Sequence, residues 1–249
     1  MVMAQSLFRL LKAREPERPL DVVAPEWSLP IVARMPEIRG GIASETAHGE
    51  IGIATRRRIA AKLRGNYDRA IVLPRSFKAA LIPWMARVPT RTGYRGETRF
   101  VLINDVRPFD RDVLDQTVKR FVALGLASGE ALPVTLPDPK LTVSADNQGR
   151  AIAALGLDAS RPVVAMMPGA EYGPAKCGPL FYCAALSARL DEAGYGVWVL
   201  GSNKDAPAGE RIAAGSRAVN LCGRTSLEDV IDLLAACEQA VSNDSGLMH

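Results

Sequence analysis

From residue 144 to residue 243 the sequence alternates helical segments with short apolar, β-branched runs, and this alternation limits the fold more than any other feature. The spacing predicts a helix over 144–156, a strand at 162–168 (PVVAMMP) and a helix over 179–194. A strand at 195–201 (YGVWVLG), a helix at 206–214 and a short strand at 217–221 follow. Ser226 is placed to cap a helix over 227–237, and QAVSN (239–243) is a last strand. Strands alternating with helices in this way build parallel sheets through right-handed crossovers. Such sheets bind ligands beyond the carboxyl ends of their strands. The candidate loops are therefore 168–178, 201–206, 221–226 and 243–249.

The first half repeats the theme less regularly. Helices are predicted at 1–14, 28–34, 51–64, 76–86 and 111–126, with strands at 20–24, 69–74 and 91–94. Pro83 should kink or end the fourth of these helices. Trp27 and Trp84 sit at helical spacing among apolar residues and read as core. The run Arg56-Arg57-Arg58 reads as a solvated helix face. Residues 127–142 hold three prolines and few aromatics, which marks a linker. The expected organisation is α/β: two doubly wound domains, 1–126 and 144–249, joined by 127–143.

Charge separates the halves. Residues 1–125 carry 22 Lys/Arg against 13 Asp/Glu, and the remainder 9 against 14. A basic module meets nucleic acid, an anionic membrane surface or a phosphorylated substrate, or is simply solvated. No aromatics interleave its arginine runs and no nucleic-acid motif is visible, which speaks against nucleic acid. No apolar run is long enough to span a membrane, and no signal-peptide pattern begins at Met1. The four cysteines form no C-x-x-C pair and only two histidines exist, so neither zinc nor a disulfide framework is expected.

The loop 168–179 contains Gly169, Ala170, Glu171 and Lys176 and ends on Pro179 at a helix start. Glycines allow close backbone approach, the helix start offers free N–H groups, and Lys176 adds a charge; together they suit a diphosphate. The loop is neither a Walker A nor a G-x-G-x-x-G sequence. In 243–249, the amides of Ser245, Gly246 and Leu247 could grip phosphate oxygens. A helix capped by Asp244 or Ser245 explains the same spacing equally well. Asp205 could accept from ribose hydroxyls or cap the helix after it. In the first half, Arg75, Lys78, Arg91 and Arg95 lie in loops read as following strands, where guanidinium groups can hold phosphates.

Four stretches carry a family resemblance: 1–7, 91–97, PGAEYGPAK (168–176) and NDSGLMH (243–249). On these the chain resembles, essentially end to end, the ADP-heptose:lipopolysaccharide heptosyltransferases of glycosyltransferase family 9. The resemblance implies a GT-B enzyme with two Rossmann-like domains. It implies inverting transfer of L-glycero-D-manno-heptose from ADP-heptose to a heptosylated Kdo-lipid A acceptor. That reaction takes place at the cytoplasmic face of the inner membrane, with no metal or other cofactor. Lys176 then neutralises the departing diphosphate and Asp244 holds the heptose. Ser245, Gly246 and Leu247 bind the diphosphate, and His249 lies near it. Asp205 contacts the adenosine ribose, and Thr225 falls where backbone meets adenine. The basic first half fits such a phosphate-rich acceptor, with Arg75, Lys78, Arg91 and Arg95 as its candidate ligands. In the family a strand and a Gly-Asp pair precede the Met1 run, and that aspartate is the expected catalytic base. More strand–helix units follow the His249 position. The expectation is a fragment with an exposed sheet edge, no base and weak activity. Cys177-Gly178 replaces the bulky aromatic usual before the proline, which should loosen that loop. Alternatives are another GT-B sugar-nucleotide enzyme, or a remnant that binds nucleotide without catalysis.

Overall fold

The computed structural model describes residues 1–44, 52–170 and 178–249. Their contacts divide them into two units, Met1–Leu141 and Thr142–His249.

The first unit runs α1 (Gln5–Arg14), β1 (Asp21–Ala24), α2 (Leu29–Ala33), β2 (Gly40–Ala43), α3 (Ile53–Leu63), β3 (Arg69–Val72), α4 (Phe77–Met85), β4 (Thr90–Tyr94), β5 (Asp105–Arg107) and α5 (Thr117–Gly125). Its strands form two parallel sheets, β1-β2 and β3-β4-β5. At their amino ends β1 and β3 are bridged by side chains. Tyr67 Oη donates to Asp21 at 2.5 Å, Arg18 pairs with Asp68, and Arg39 also holds Asp21. Hydrogen bonds from Arg39 and then Tyr67 hold the Asp21 carboxyl below the usual carboxylate range.

The second unit runs α6 (Ala145–Leu155), β6 (Val163–Met167), α7 (Leu180–Glu192), β7 (Gly196–Val199), α8 (Ala206–Ala213), β8 (Val219–Asn220), α9 (Leu227–Ala236) and β9 (Gln239–Ser242). Here the elements follow the predicted rhythm closely, because each signal is strong. All five residues of β6 and all four of β7 are buried, as two-sided parallel strands require. The Ser144 side chain caps α6, and Gly156, at φ 64°, closes it in the left-handed conformation. Ser226 and Asp229 form a reciprocal capping box at the start of α9. The core gathers Trp198, Leu200, Leu221 and Leu233 between α6, α9 and the sheet. Buried Asp232 ties α9 to α6 by accepting from the Ser144 amide and the Asn147 side chain, both at 2.8 Å.

The first unit departs from expectation in several places. Strands β2 and β5 give no clear signal: one begins Gly-Gly and the other is three residues, two of them charged. Leu29 packs where a Gly41 side chain would sit, so glycine lets α2 lie on its strand. The helix predicted from 111 starts at Thr117, because Asp110 turns the chain by accepting from the Asp112 amide. Pro83 does not stop α4, which runs two residues further; a proline one turn from a helix end breaks little of the ladder. Trp27 and Trp84 are not core: they are 70% and 43% exposed, since helical spacing among apolar neighbours does not fix which face turns inward. Arg56 is buried, while Arg57 and Arg58 face out as expected of that run. Residues 127–141 belong with the first unit rather than forming a free linker, because Leu132 and Leu136 pack on Leu10, Val122 and Leu126.

Candidate active site

Strand order in the second sheet is β8-β7-β6-β9. In chain order this is third, second, first, fourth, so the direction of winding reverses between β6 and β9. In a doubly wound sheet the ligand crevice lies at the carboxyl ends of that pair. Topology thus selects the loops after Met167 and after Ser242 from the four candidates.

Asn243 joins these two loops. Its side-chain amide donates to the Pro168 carbonyl, its oxygen accepts from the Gly178 amide at 3.4 Å, and its own amide donates to Met167 at 3.3 Å. Leu247 packs against the core, which anchors the end of the NDSGLMH segment from below. A short 3-10 turn covers Gly246–Met248, led by Ser245 in extended conformation. Asp244, Gly246 and His249 are exposed there. Glu171 and Lys176 fall within 171–177, outside the described residues.

Asp205 reaches the same edge from the β7 loop. It forms a capping box with Ser202, whose amide and hydroxyl both donate to Oδ2, at 2.8 and 2.7 Å. Its other oxygen faces Gly169: a Cβ on Gly169 would lie 2.5 Å from Asp205 Oδ1. Asp205 thus does not cap α8 with its side chain as expected; it closes the 3-10 turn before α8 as the partner of Ser202, and its carboxylate also turns toward the glycine loop. Ser202 and Asn243 are site-building residues that sequence reasoning passed over. The Ser-x-x-Asp spacing signalled the first. Asn243 acts between segments distant in sequence and has no local signal.

Ala170 ends the described part of the glycine loop, and Thr225 follows β8. The hydroxyl oxygens of Thr225 and Ser245 are buried with no hydrogen-bond partner among the described residues. Buried polar atoms are normally paired, so these two are reserves of hydrogen-bonding capacity at the loops expected to meet a nucleotide. Cys222 is no nucleophile here: burial, and after it the charge of Asp205, pushes its thiol up to about 11.

Gly169→Ala should cost roughly 1–3 kcal/mol, because the new methyl group must displace a carboxylate held by two donors. Urea titration of the variant checks this. In an Asp205→Ala background the same change should cost clearly less, and equal cost in both backgrounds would refute the steric origin.

In the first unit, the loops after β3 and β4 are laced together. Glu97 accepts from the Phe77 amide at 2.7 Å, capping α4. Gly96 lies so close to the Arg75 carbonyl that a Cβ would sit 2.2 Å from it. Arg99, 3% exposed, donates to the carbonyls of Pro74 and Tyr94. Arg75 stacks on Phe109 at 4.8 Å and Arg95 on Phe100 at 5.4 Å, leaving two cations at the carboxyl edge. Lys78 sits in the first turn of α4. Arg91 is elsewhere: it lies near the amino end of β4, and its guanidinium donates to the Leu102 and Val88 carbonyls at 2.7 and 2.6 Å. The structure brings Arg75, Lys78 and Arg95 to one edge and leaves Arg91 fixing a loop at the other. Among the described residues no group of His, Cys, Asp and Glu is arranged to hold a metal ion.

The profile of glycosyltransferase family 9 (heptosyltransferase) matches residues 56–249. The chain belongs to this family. Lipopolysaccharide heptosyltransferase 2 of Salmonella typhimurium is 44% identical over 100% of this chain and 75% of its own length. Its Escherichia coli K12 counterpart is 42% identical over the same shares. The solved structure titled E. coli ADP-heptose lps heptosyltransferase II superposes with a TM-score of 0.91, covering 100% of this chain and 77% of that one. The α/β fold with parallel sheets is thus that of the GT-B-like family 9 enzymes. The chain spans about three quarters of the length of these relatives.

Proposed function

We propose that this family 9 chain transfers L-glycero-D-manno-heptose from ADP-heptose to the heptose already on the lipopolysaccharide inner core, with inversion at the transferred carbon. The observation that carries this is identity of 40–44% along the whole chain to relatives named heptosyltransferase 2. The two units divide the work: the second takes the donor and the first the acceptor.

At the donor, transfer builds negative charge on the departing ADP. Lys176 and the amides of Ser245, Gly246 and Leu247 stabilise that charge in place of a metal. His249 lies beside the phosphates. Asp244 holds the heptose, Asp205 the ribose, and backbone at Thr225 the adenine; Gly169, Ala170 and Glu171 shape the loop around them. Arg75, Arg95 and Lys78 meet the phosphates and acidic sugars of the acceptor. No helix among the described residues is long and apolar enough to cross a membrane. With a membrane-borne acceptor, the enzyme works as a peripheral protein on the cytoplasmic face of the inner membrane, its basic unit toward the anionic surface.

Two measurements test this reading. Calorimetry with ADP tests the donor site alone and should show saturable binding without added metal. A mass-based assay with ADP-heptose then compares acceptors with and without the first heptose. Mono-heptosylated acceptor should be the one extended. Preference for the unheptosylated acceptor would overturn the assignment.

A further inference from the structure

Helix α3 packs through Ile59, Ala60 and Leu63 on Ile82 of α4 and on Ala86 at the end of α4. On their outward side the two helices flank an open hollow of about 880 Å³. Four arginines line it, Arg57, Arg58, Arg64 and Arg87, together with Trp84 and Met85. None of the described residues lining it is acidic. The donor and acceptor sites use none of these side chains. Residues 127–141, which lead on to the second unit, pack on a different helix pair, α1 and α5.

An exposed run of arginines is ordinarily just solvated. Two features set this one apart. The first is the backbone of Arg87. Its φ of 57° is the one positive φ outside glycine among the described residues. Arg87 closes α4: its amide donates to the Trp84 carbonyl and the Val88 amide to the Pro83 carbonyl, both at 3.0 Å. Glycine normally takes this position. The chain does place glycine at positive φ just past α3, α6, α7 and α8, as Gly65, Gly156, Gly194 and Gly215. An arginine there carries a backbone strain that glycine would avoid, and what it adds is a fourth cation in the hollow. The second feature is Trp84, 43% exposed among these cations. A tryptophan beside arginines suits the boundary between lipid headgroups and water, where its apolar body and its N–H both find partners.

We propose that this α3–α4 flank docks on the membrane, its four arginines holding the headgroup phosphates of anionic phospholipids and Trp84 entering the headgroup layer. The inference rests on the reading of the acceptor as membrane-borne and says which face of the first unit meets that membrane. Position agrees with it. Lys78 stands in the first turn of α4, at the acceptor edge, and Trp84 in its last turn. They lie about 9 Å apart along the helix axis, so an acceptor anchored in the same membrane has a short path to that edge.

The test is flotation of the full chain with lipid vesicles, without ADP-heptose or lipopolysaccharide. Phosphatidylcholine vesicles containing phosphatidylglycerol should carry the chain, pure phosphatidylcholine should not, and added salt should release it. Arg57→Gln with Arg87→Gly should weaken binding about tenfold or more. Arg87→Gly alone should weaken it without lowering the midpoint of thermal unfolding, because glycine suits that backbone better. Arg75→Gln with Arg95→Gln, at the acceptor edge, should lose clearly less. In a Trp27→Phe chain the remaining exposed tryptophan is Trp84, and its emission should shift to the blue when anionic vesicles are added. No binding to anionic vesicles, equal binding to both vesicle types, an unshifted emission, or equal loss in the two double variants overturns the docking face. Binding of an oligonucleotide without binding of vesicles assigns the hollow to nucleic acid and overturns it as well. Vesicle binding absent while heptosyl transfer to a soluble acceptor persists refutes this inference alone. Transfer absent while vesicle binding persists refutes only the functional reading.

Discussion

Trp198→Ala should destabilise the second unit by about 3–5 kcal/mol, the range for removing a fully buried large aromatic. Trp198 is 1% exposed on β7, a central strand of its sheet, and packs in the cluster that also holds Leu200, Leu221 and Leu233. Neighbours on a rigid strand cannot collapse into the space, so the cavity persists and its cost adds to the lost burial. Whole domains are stable by only about 5–15 kcal/mol, so the change removes a large share. Hydrogen exchange localises the effect: β6, β7 and β9 amides should lose protection while β3 and β4 amides keep theirs. A loss below about 1 kcal/mol would contradict the packing argument. Equal loss in both units would contradict the assignment of Trp198 to a core within the second unit. Trp198→Phe, which keeps most of the burial, should recover much of the stability.

The second unit was legible because its signals are local and agree with one another. Fully apolar strands, Ser caps and a closing glycine each point to the same elements, and strand order alone then finds the crevice. In the first unit the decisive facts are tertiary. Whether Trp84 faces in or out depends on what α4 packs against. Arg56 and Arg57 are adjacent in sequence and identical in type, yet one is buried and one is not. Arg91 looked like a phosphate ligand because it opens a strand-and-loop motif rich in arginine. Its position at the amino end of β4 follows only from where the strand starts, a boundary that composition does not set. The site shows the same division. Gly169 and Ser245 stand in recognisable loops, whereas the role of Asn243 in joining those loops appears only once β6 and β9 are neighbours.

Lys176→Ala and Asp244→Ala should separate the two halves of the donor. If Lys176 pairs with the diphosphate, its loss removes a charge-assisted contact of about 1.5–3 kcal/mol, roughly ten- to a hundredfold in Kd. ADP and ADP-heptose share the diphosphate, so both should weaken by the same factor. Asp244 has a different target. As a ligand of the heptose hydroxyls it contributes nothing attractive toward ADP, and a carboxylate near a diphosphate is mildly repulsive. Asp244→Ala should therefore weaken ADP-heptose by a similar factor while leaving ADP binding unchanged or slightly tighter. Calorimetry with the two ligands and two variants completes the set without requiring turnover. Salt gives an independent check: raising ionic strength should weaken ADP binding in the parent chain more than in Lys176→Ala, because the ion pair is the part that salt screens. Parallel losses of both ligands in Asp244→Ala would mean that the carboxylate acts as the cap of the turn that presents the diphosphate-binding amides, rather than as a sugar contact.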